Sequence, residues 1–509
     1  MLSIVKTVSL IGLNGYIIYV QVDVSAGMPA WEVVGLPGTS VRESKERVKT
    51  AIKNSGYEVF SRKVVVNLAP ANIKKDGSFL DLPIAVGILS SMKNIKKINL
   101  EDIGFIGELS LDGRINGVKG VLAKCIEAKK LNLKTLIIPS KNLNEASIIK
   151  GIKIYGADTL KEVIDFLNGE SKLKEKNVEW KDICKIQDTY SIDFSEVKGQ
   201  ENAKRGIEIA TAGCHNCLMV GNPGTGKTML AKRIPTILPN LSFEESLEVT
   251  KIHSVAGEID EENPIIIKRS YRSPHHSITG TALIGGGRIP KPGEISLAHL
   301  GVLFLDELPE FNKKTLEMLR IPLEDEKVTI SRVDASISYP CKCMLVASMN
   351  PCPCGNFGSK TKKCTCTKRD IEQYMNKISE PMLDRIDILI EVPSIKYEKL
   401  ENENVETSEQ IMKRVEKARK IQLERYKNDG IFFNASLTPK LMEKYCQLDN
   451  ETKEVMKNAF EKMGISARSY TRIIKVARTI ADLDNEKNIR KKHVIEAIHF
   501  NQFAHYYRR

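Results

Sequence analysis

The sequence predicts a multidomain α/β protein that ends in a helical region. Three observations carry that expectation. Its 509 residues exceed what one hydrophobic core supports. Strand-like runs alternate with helical ones through residue 395, and beyond about residue 396 the apolar residues recur only at helical spacing.

Residues 1–170 alternate β-rich runs such as "KVVVNLAP" and "KTLIIPS" with helical ones such as "SVRESKERVKTAIKNSG", the pattern of a compact α/β unit. The charged stretch "NGESKLKEKNVEWKDICKIQD" lacks apolar periodicity and places a linker at 171–192. Residues 193–395 form a second α/β region, a parallel sheet with helices around a phosphate-binding loop. Residues 396–509 read as a helical lid, with "SEQIMKRVEKARKIQLERY" and "SARSYTRIIKVARTIADL" as its clearest helices. No solenoid repeat is visible.

Bulk composition narrows the class. A hydrophobic fraction of 42% and a charged fraction of 28% fit a soluble globular protein. No apolar run approaches the ~18 residues of a membrane span. The opening "MLSIVKTVSLIGLNGYIIYV" imitates a signal peptide, but Asn14 and Gly15 interrupt it, so the expectation is a cytoplasmic protein without a membrane partner. In a reducing compartment an odd count of 11 cysteines argues against a disulfide framework and for free thiols or metal ligands. The net charge of +13 suits an acidic polymer as partner, with a Lys-rich solvated surface as the plainer alternative.

"CLMVGNPGTGKTML" is an apolar strand, a Gly-rich loop and a helix start. Gly221, Asn222, Pro223, Gly224, Thr225, Gly226, Lys227, Thr228 and Met229 are the candidate ATP-binding residues: backbone N–H groups wrap the phosphates, Lys227 adds a point charge, and Thr228 offers a hydroxyl to magnesium. "GVLFLDELPEF" is a buried-strand run ending in Asp306, a magnesium holder, and Glu307, which would orient or deprotonate the attacking water. Asn350, closing the strand "CMLVASMN", could polarise that water or sense the γ-phosphate. Arg385 in "MLDRIDI" is a candidate arginine finger supplied by a neighbouring subunit, with a structural salt bridge as its competing role. Arg468 and Arg472 lie four apart on one helix face, and Arg468 is the preferred lid arginine.

In order and wording, these motifs resemble the ComM/YifB family of Mg-chelatase-like AAA+ ATPases. "DFSEVKGQENAKRGIEIATAG", "SPHHSITGTALIGGG", "PKPGEISLAHLGVLFLDELPEF", "MNPCPCG" and "MLDRIDI" carry the likeness. The resemblance implies that Val197 and Gly199 border the adenine, that Arg385 acts in trans, that Arg468 is the lid sensor, and that the ring is a homohexamer. It further implies an ATP-driven helicase that promotes DNA branch migration in recombination and natural transformation. The alternative is a chelatase-like or MoxR-like motor that remodels a protein partner. Arg288, Lys327 and Arg332 lie in stretches similar to the channel-facing insert and hairpin of related helicases, which makes them candidate phosphate contacts. His275 and His276 are a possible metal pair or local hydrogen-bonding residues.

The family's first domain is similar to the Lon protease domain. Here "KKDGSFLDLPIA" places Phe79 at the catalytic-serine position, and Lys119 stands at the lysine position. Ser78 is one residue away and points to the other face of an extended segment, so no peptidase activity is expected.

Cys352, Cys354, Cys364 and Cys366 form C-x-C, nine residues, C-x-C. Four thiolates at that density suit a structural zinc, with Lys360, Lys362 and Lys363 offsetting charge; free thiols and a redox switch are the alternatives. Cys214, Cys217, Cys341 and Cys343 lie in or beside apolar strands and read as core residues.

Overall fold

In a computed structural model the described residues are 2–58, 62–96, 99–181, 190–260, 263–287, 290–331, 336–359, 362–395, 405–463 and 465–501. The chain divides into two compact units.

The first unit comprises Met1–Asp188 with the segments Phe243–Ile267 and Ser331–Ser338. Its eight-stranded sheet runs in the order Lys174–Glu175, Lys153–Ala157, Thr135–Pro139, Ile103–Phe105, Ser3–Ile11, Asn14–Ser25, Lys63–Ala69, Ala30–Val34. Alternating Val20, Val22 and Val24 face its core, as the two-residue period of a strand requires. The helix Asp81–Ser91 is buried along nearly its whole length and packs on the two longest strands. Two features were not apparent from the sequence. Lys174 and Glu175, inside the expected linker, pair with the strand Lys153–Ala157 as a short edge strand. The helix Phe243–Ala256, placed by its position in the expected core region, belongs to the first unit, where Lys251 Nζ reaches Glu127 Oε1 at 2.7 Å. Burial pushes the Glu127 carboxyl up, but hydrogen bonds from Lys251, Lys130 and the Gly15 amide outweigh it and leave it below its ordinary range.

The second unit comprises Thr189–Ser242, Lys268–Ile330 and Tyr339–Arg509. Its five-stranded sheet has the order Tyr271–Arg272, Val302–Leu305, Met344–Met349, Cys217–Val220, Ile388–Glu391, with every pairing parallel. Strands covered on both faces read as unbroken apolar runs, and "VLFL", "CLMV" and "MLVASM" are buried at every residue. The C-terminal helices share this core. Ser408–Arg425, capped by a Thr407 and Gln410 capping box, and Ala467–Leu483, capped by Ser466, both pack on the helix Glu201–Gly213. Buried polar links fasten them: Gln422 Nε2 donates to the Ala212 carbonyl at 2.9 Å, and His215 joins Thr479 at 2.8 Å and Asp387 at 3.0 Å. No described helix is long and apolar enough to cross a membrane.

Candidate nucleotide and metal sites

In a parallel sheet the loops that leave the C-terminal strand ends converge on one edge. The loop after Val220, the acidic pair after Leu305 and Asn350 after Met349 meet there. Gly221 is required by close approach, since a Cβ would stand 2.2 Å from the Val392 carbonyl oxygen. Gly224 and Gly226 have left-handed φ values of +79° and +92°, and a Cβ at either would meet nothing within 4 Å. That face of the loop is therefore open, as a backbone cradle for phosphates requires.

The Lys227 ammonium makes three bonds: to the Gly221 carbonyl at 2.6 Å, the Asn222 carbonyl at 3.0 Å and Asn350 Oδ1 at 3.2 Å. Burial pushes its pKa down, and the carboxylates of Asp306 and Glu307 oppose that push. A triphosphate would exchange neutral acceptors for charged ones, which bind an ammonium about twice as strongly. Thr228 Oγ1 donates to Asp306 Oδ2 at 2.8 Å, so two hard oxygen ligands of the kind magnesium takes already adjoin. The buried Ser348 hydroxyl and the Glu307 amide, the latter at 3.1 Å, both donate to Asp306 Oδ1. Glu307 turns away with a left-handed φ of 53°, leaving its side chain exposed. On the other flank Gln200 Nε2 donates to the carbonyls of Thr225 at 3.2 Å and Pro393 at 2.6 Å, which brings the "VKGQ" segment with Val197 and Gly199 to the loop.

Family models for the magnesium chelatase subunit ChlI match residues 20–142 and 193–400, and the model of its C-terminal part matches 405–501. Over 501 residues the chain is 41% identical to the competence protein ComM of Haemophilus influenzae, covering 98% of this chain and 97% of that protein. It is 41% identical to the YifB protein of Escherichia coli over the same shares. The chain belongs to the ComM/YifB family of Mg-chelatase-like AAA+ ATPases. It is also 27% identical over 137 residues to a Lon protease of Mycolicibacterium smegmatis, 26% of this chain and 17% of that one.

The arginines of this ComM/YifB member lie away from its phosphate loop. Cys217 pairs with Ile388 and Val220 with Glu391, so Arg385 precedes the strand whose far end borders that loop. Asn216, immediately before the strand Cys217–Val220, donates to the Arg385 carbonyl at 2.9 Å. Four residues of strand, roughly 13 Å, separate the two ends. The Arg385 guanidinium pairs with Glu324. Arg468 stands at this same end, 2.5 Å from Asp384, and Arg472 donates to the Leu383 and Ile386 carbonyls at 3.1 and 2.7 Å. Arg468, expected to reach the phosphates from the lid, thus lies beside Arg385 at the strand end away from the phosphate loop.

The four cysteine sulfurs come together: Cys352 to Cys354 is 3.4 Å, Cys352 to Cys364 3.7 Å and Cys354 to Cys364 3.6 Å, with Cys366 in the same cluster. A cleft of about 790 Å³ flanks this loop, lined by Phe357, Cys364, Ile371, Leu383 and Arg472; none of residues 221–229 lines it, so it is not the phosphate site.

Lys327 is exposed at the start of the hairpin strand Lys327–Ser331. Arg288, Arg332 and Lys360 lie outside the described residues. His275 bonds Ser277 at 2.8 Å and lies against His276 with the rings tilted by 36°, and neither joins a metal-ligand cluster among the described residues. At the Lon-like positions the Ser78 hydroxyl donates to Glu108, Phe79 is buried under the Lys124 ammonium 3.8 Å from its ring, and Lys119 is exposed.

Sequence reasoning missed Ser348, Asp384 and Glu324. Ser348 had a readable signal, lying two residues before Asn350 and so on the same face of one strand. The other two owe their roles to contacts distant in sequence.

Proposed function

We propose that this chain is the subunit of a cytoplasmic homohexameric ring that hydrolyses ATP to move branched or single-stranded DNA, a branch-migration helicase of homologous recombination and natural transformation. The observation that carries this reading is the separation of Arg385 and Lys227 to opposite ends of adjacent strands. An arginine so placed serves a neighbour's nucleotide, and each site is complete only between two copies. Arg468, held beside it by Asp384, faces the same neighbour. The likeness to a protein named for competence, and the net charge of +13, favour DNA over a protein substrate.

Bound magnesium would neutralise charge on the transferring phosphoryl group. Thr228 and Asp306 are the residues that would hold it, and Ser348 keeps Asp306 oriented. Lys227 and the loop amides bind the β- and γ-phosphates. Glu307 orients the attacking water and accepts its proton, while Asn350 fixes the γ-phosphate end. Cys352, Cys354, Cys364 and Cys366 hold a structural zinc. Lys327 contacts DNA phosphates without reading bases, as do Arg288 and Arg332.

The decisive experiment is ATP-dependent movement of a synthetic three-strand or Holliday junction, with Lys227→Ala as control. Hydrolysis should rise with added DNA, and that stimulation should weaken steeply with salt. No junction movement together with no stimulation by DNA would replace this reading with protein remodelling.

A further inference from the structure

The loop that carries the four cysteines is bonded to the phosphate loop. Asn222, the second residue of that loop, extends its side-chain amide to the Gly355 carbonyl at 2.5 Å and the Phe357 carbonyl at 3.4 Å. Gly355 lies so close that a Cβ there would stand 2.6 Å from the Pro223 ring. Two consecutive residues of the phosphate loop, Asn222 and Pro223, therefore rest on backbone lying between Cys354 and Cys364. The same segment begins two residues after Asn350, which accepts from Lys227.

The support is a loop that the sulfurs cross-connect. Among the described residues of 352–366 there is no helix or strand, and the segment runs from the strand Met344–Met349 to the helix Lys368–Met375 with its Thr367 and Asp370 capping box. The sulfur geometry suits a metal. Tetrahedral zinc with bonds of about 2.3 Å to sulfur gives sulfur–sulfur edges of about 3.8 Å, close to the separations of 3.4 to 3.7 Å here. A disulfide needs about 2.0 Å. Backbone amides already point at the sulfurs, from Phe357 to Cys352 at 3.3 Å and from Cys354 to Cys366 at 3.4 Å, as they do around metal-bound thiolates.

We propose that a thiophilic divalent cation, zinc, held by these four cysteines sets the affinity of the nucleotide site by fixing the Gly355 and Phe357 carbonyls that hold Asn222. This deepens the zinc assignment above and rests on it. Loss of the metal frees the loop, the phosphate loop loses its lateral support, and part of the binding energy of ATP is spent in ordering it. The ATPase is thereby linked to zinc supply.

The test combines metal analysis with binding of a fluorescent ATP analogue in magnesium, on the full chain. Wild type should carry one zinc per chain. Cys352→Ser with Cys354→Ser should lose the zinc and bind the analogue more weakly. Asn222→Ala should keep the zinc and still bind about fivefold more weakly, the worth of a single hydrogen bond. If the cysteine variant does not fold, stripping wild type with a chelator and restoring zinc must lower and then recover affinity. Absence of zinc from wild type overturns the metal site. Zinc present, with affinity unchanged both in Asn222→Ala and on stripping, leaves the metal assignment standing and overturns the coupling.

Discussion

Lys227 Nζ lies 3.2 Å from Asn350 Oδ1, so the proposed phosphate-binding lysine is tied to the end of the neighbouring strand. The two substitutions should separate binding from turnover. Lys227→Ala is expected to abolish ATP binding and hydrolysis together. Asn350→Ala should lower kcat by roughly ten- to a hundredfold while changing ATP affinity little, because it acts where charge develops. Steady-state hydrolysis beside equilibrium binding decides; substantial turnover in Lys227→Ala would remove the lysine from its role.

Glu307 follows Asp306 with a left-handed backbone, and the two carboxylates stand in different surroundings. Asp306 is engaged by Thr228 and Ser348, whereas Glu307 is exposed. Glu307→Gln should therefore retain ATP and cut hydrolysis by about a hundredfold or more, the scale of a lost general base. Filter retention of radiolabelled ATP over minutes reads this out, and rapid conversion to ADP would assign the base elsewhere.

Local features of the fold were legible, and long-range ones were not. Buried parallel strands announce themselves as apolar runs, and the spacing of Gly221, Gly226, Lys227 and Thr228 is strict. Lys251 on the helix Phe243–Ala256 meets Glu127, 124 residues away, and nothing in the local sequence shows that contact. Lys174 and Glu175 form a strand too short to display a period. Arg468 was recognisable by type, but its end of the sheet is set by Asp384, a charge whose partner only the folded chain supplies.

Arg385 and Lys227 at opposite strand ends lead to a mixing experiment. Rings of Arg385→Ala alone and of Lys227→Ala alone should each be inactive. In mixed rings a Lys227→Ala subunit still lends Arg385 to a neighbour with an intact phosphate loop, so hydrolysis should reappear. Its amount should follow the mixing ratio with a maximum at intermediate composition. Mixtures as inactive as the parents, despite demonstrated subunit exchange, would count against an arginine acting in trans.

In the first unit, the buried Asp81 carboxylate is bonded by Arg47 Nε at 2.9 Å and Nη2 at 3.2 Å, and by the Leu109 amide at 3.3 Å. Burial still dominates, with Arg47 pulling the other way, and Asp81 is pushed up to about 6. An unfolded aspartate titrates near pH ~3.9. Between these values the folded chain holds a proton that the unfolded chain has released, so this group's contribution to stability is present at low pH and is lost as pH rises through about 6. Asp81→Asn cannot titrate and keeps an acceptor for Arg47. Whatever its absolute stability, its change between about pH 4.5 and 7 should be smaller than that of wild type. Both tryptophans, Trp31 and Trp180, belong to the first unit, so their fluorescence during denaturant unfolding reports that unit alone. Equal pH slopes for the two proteins would show that Asp81 is not the titrating group.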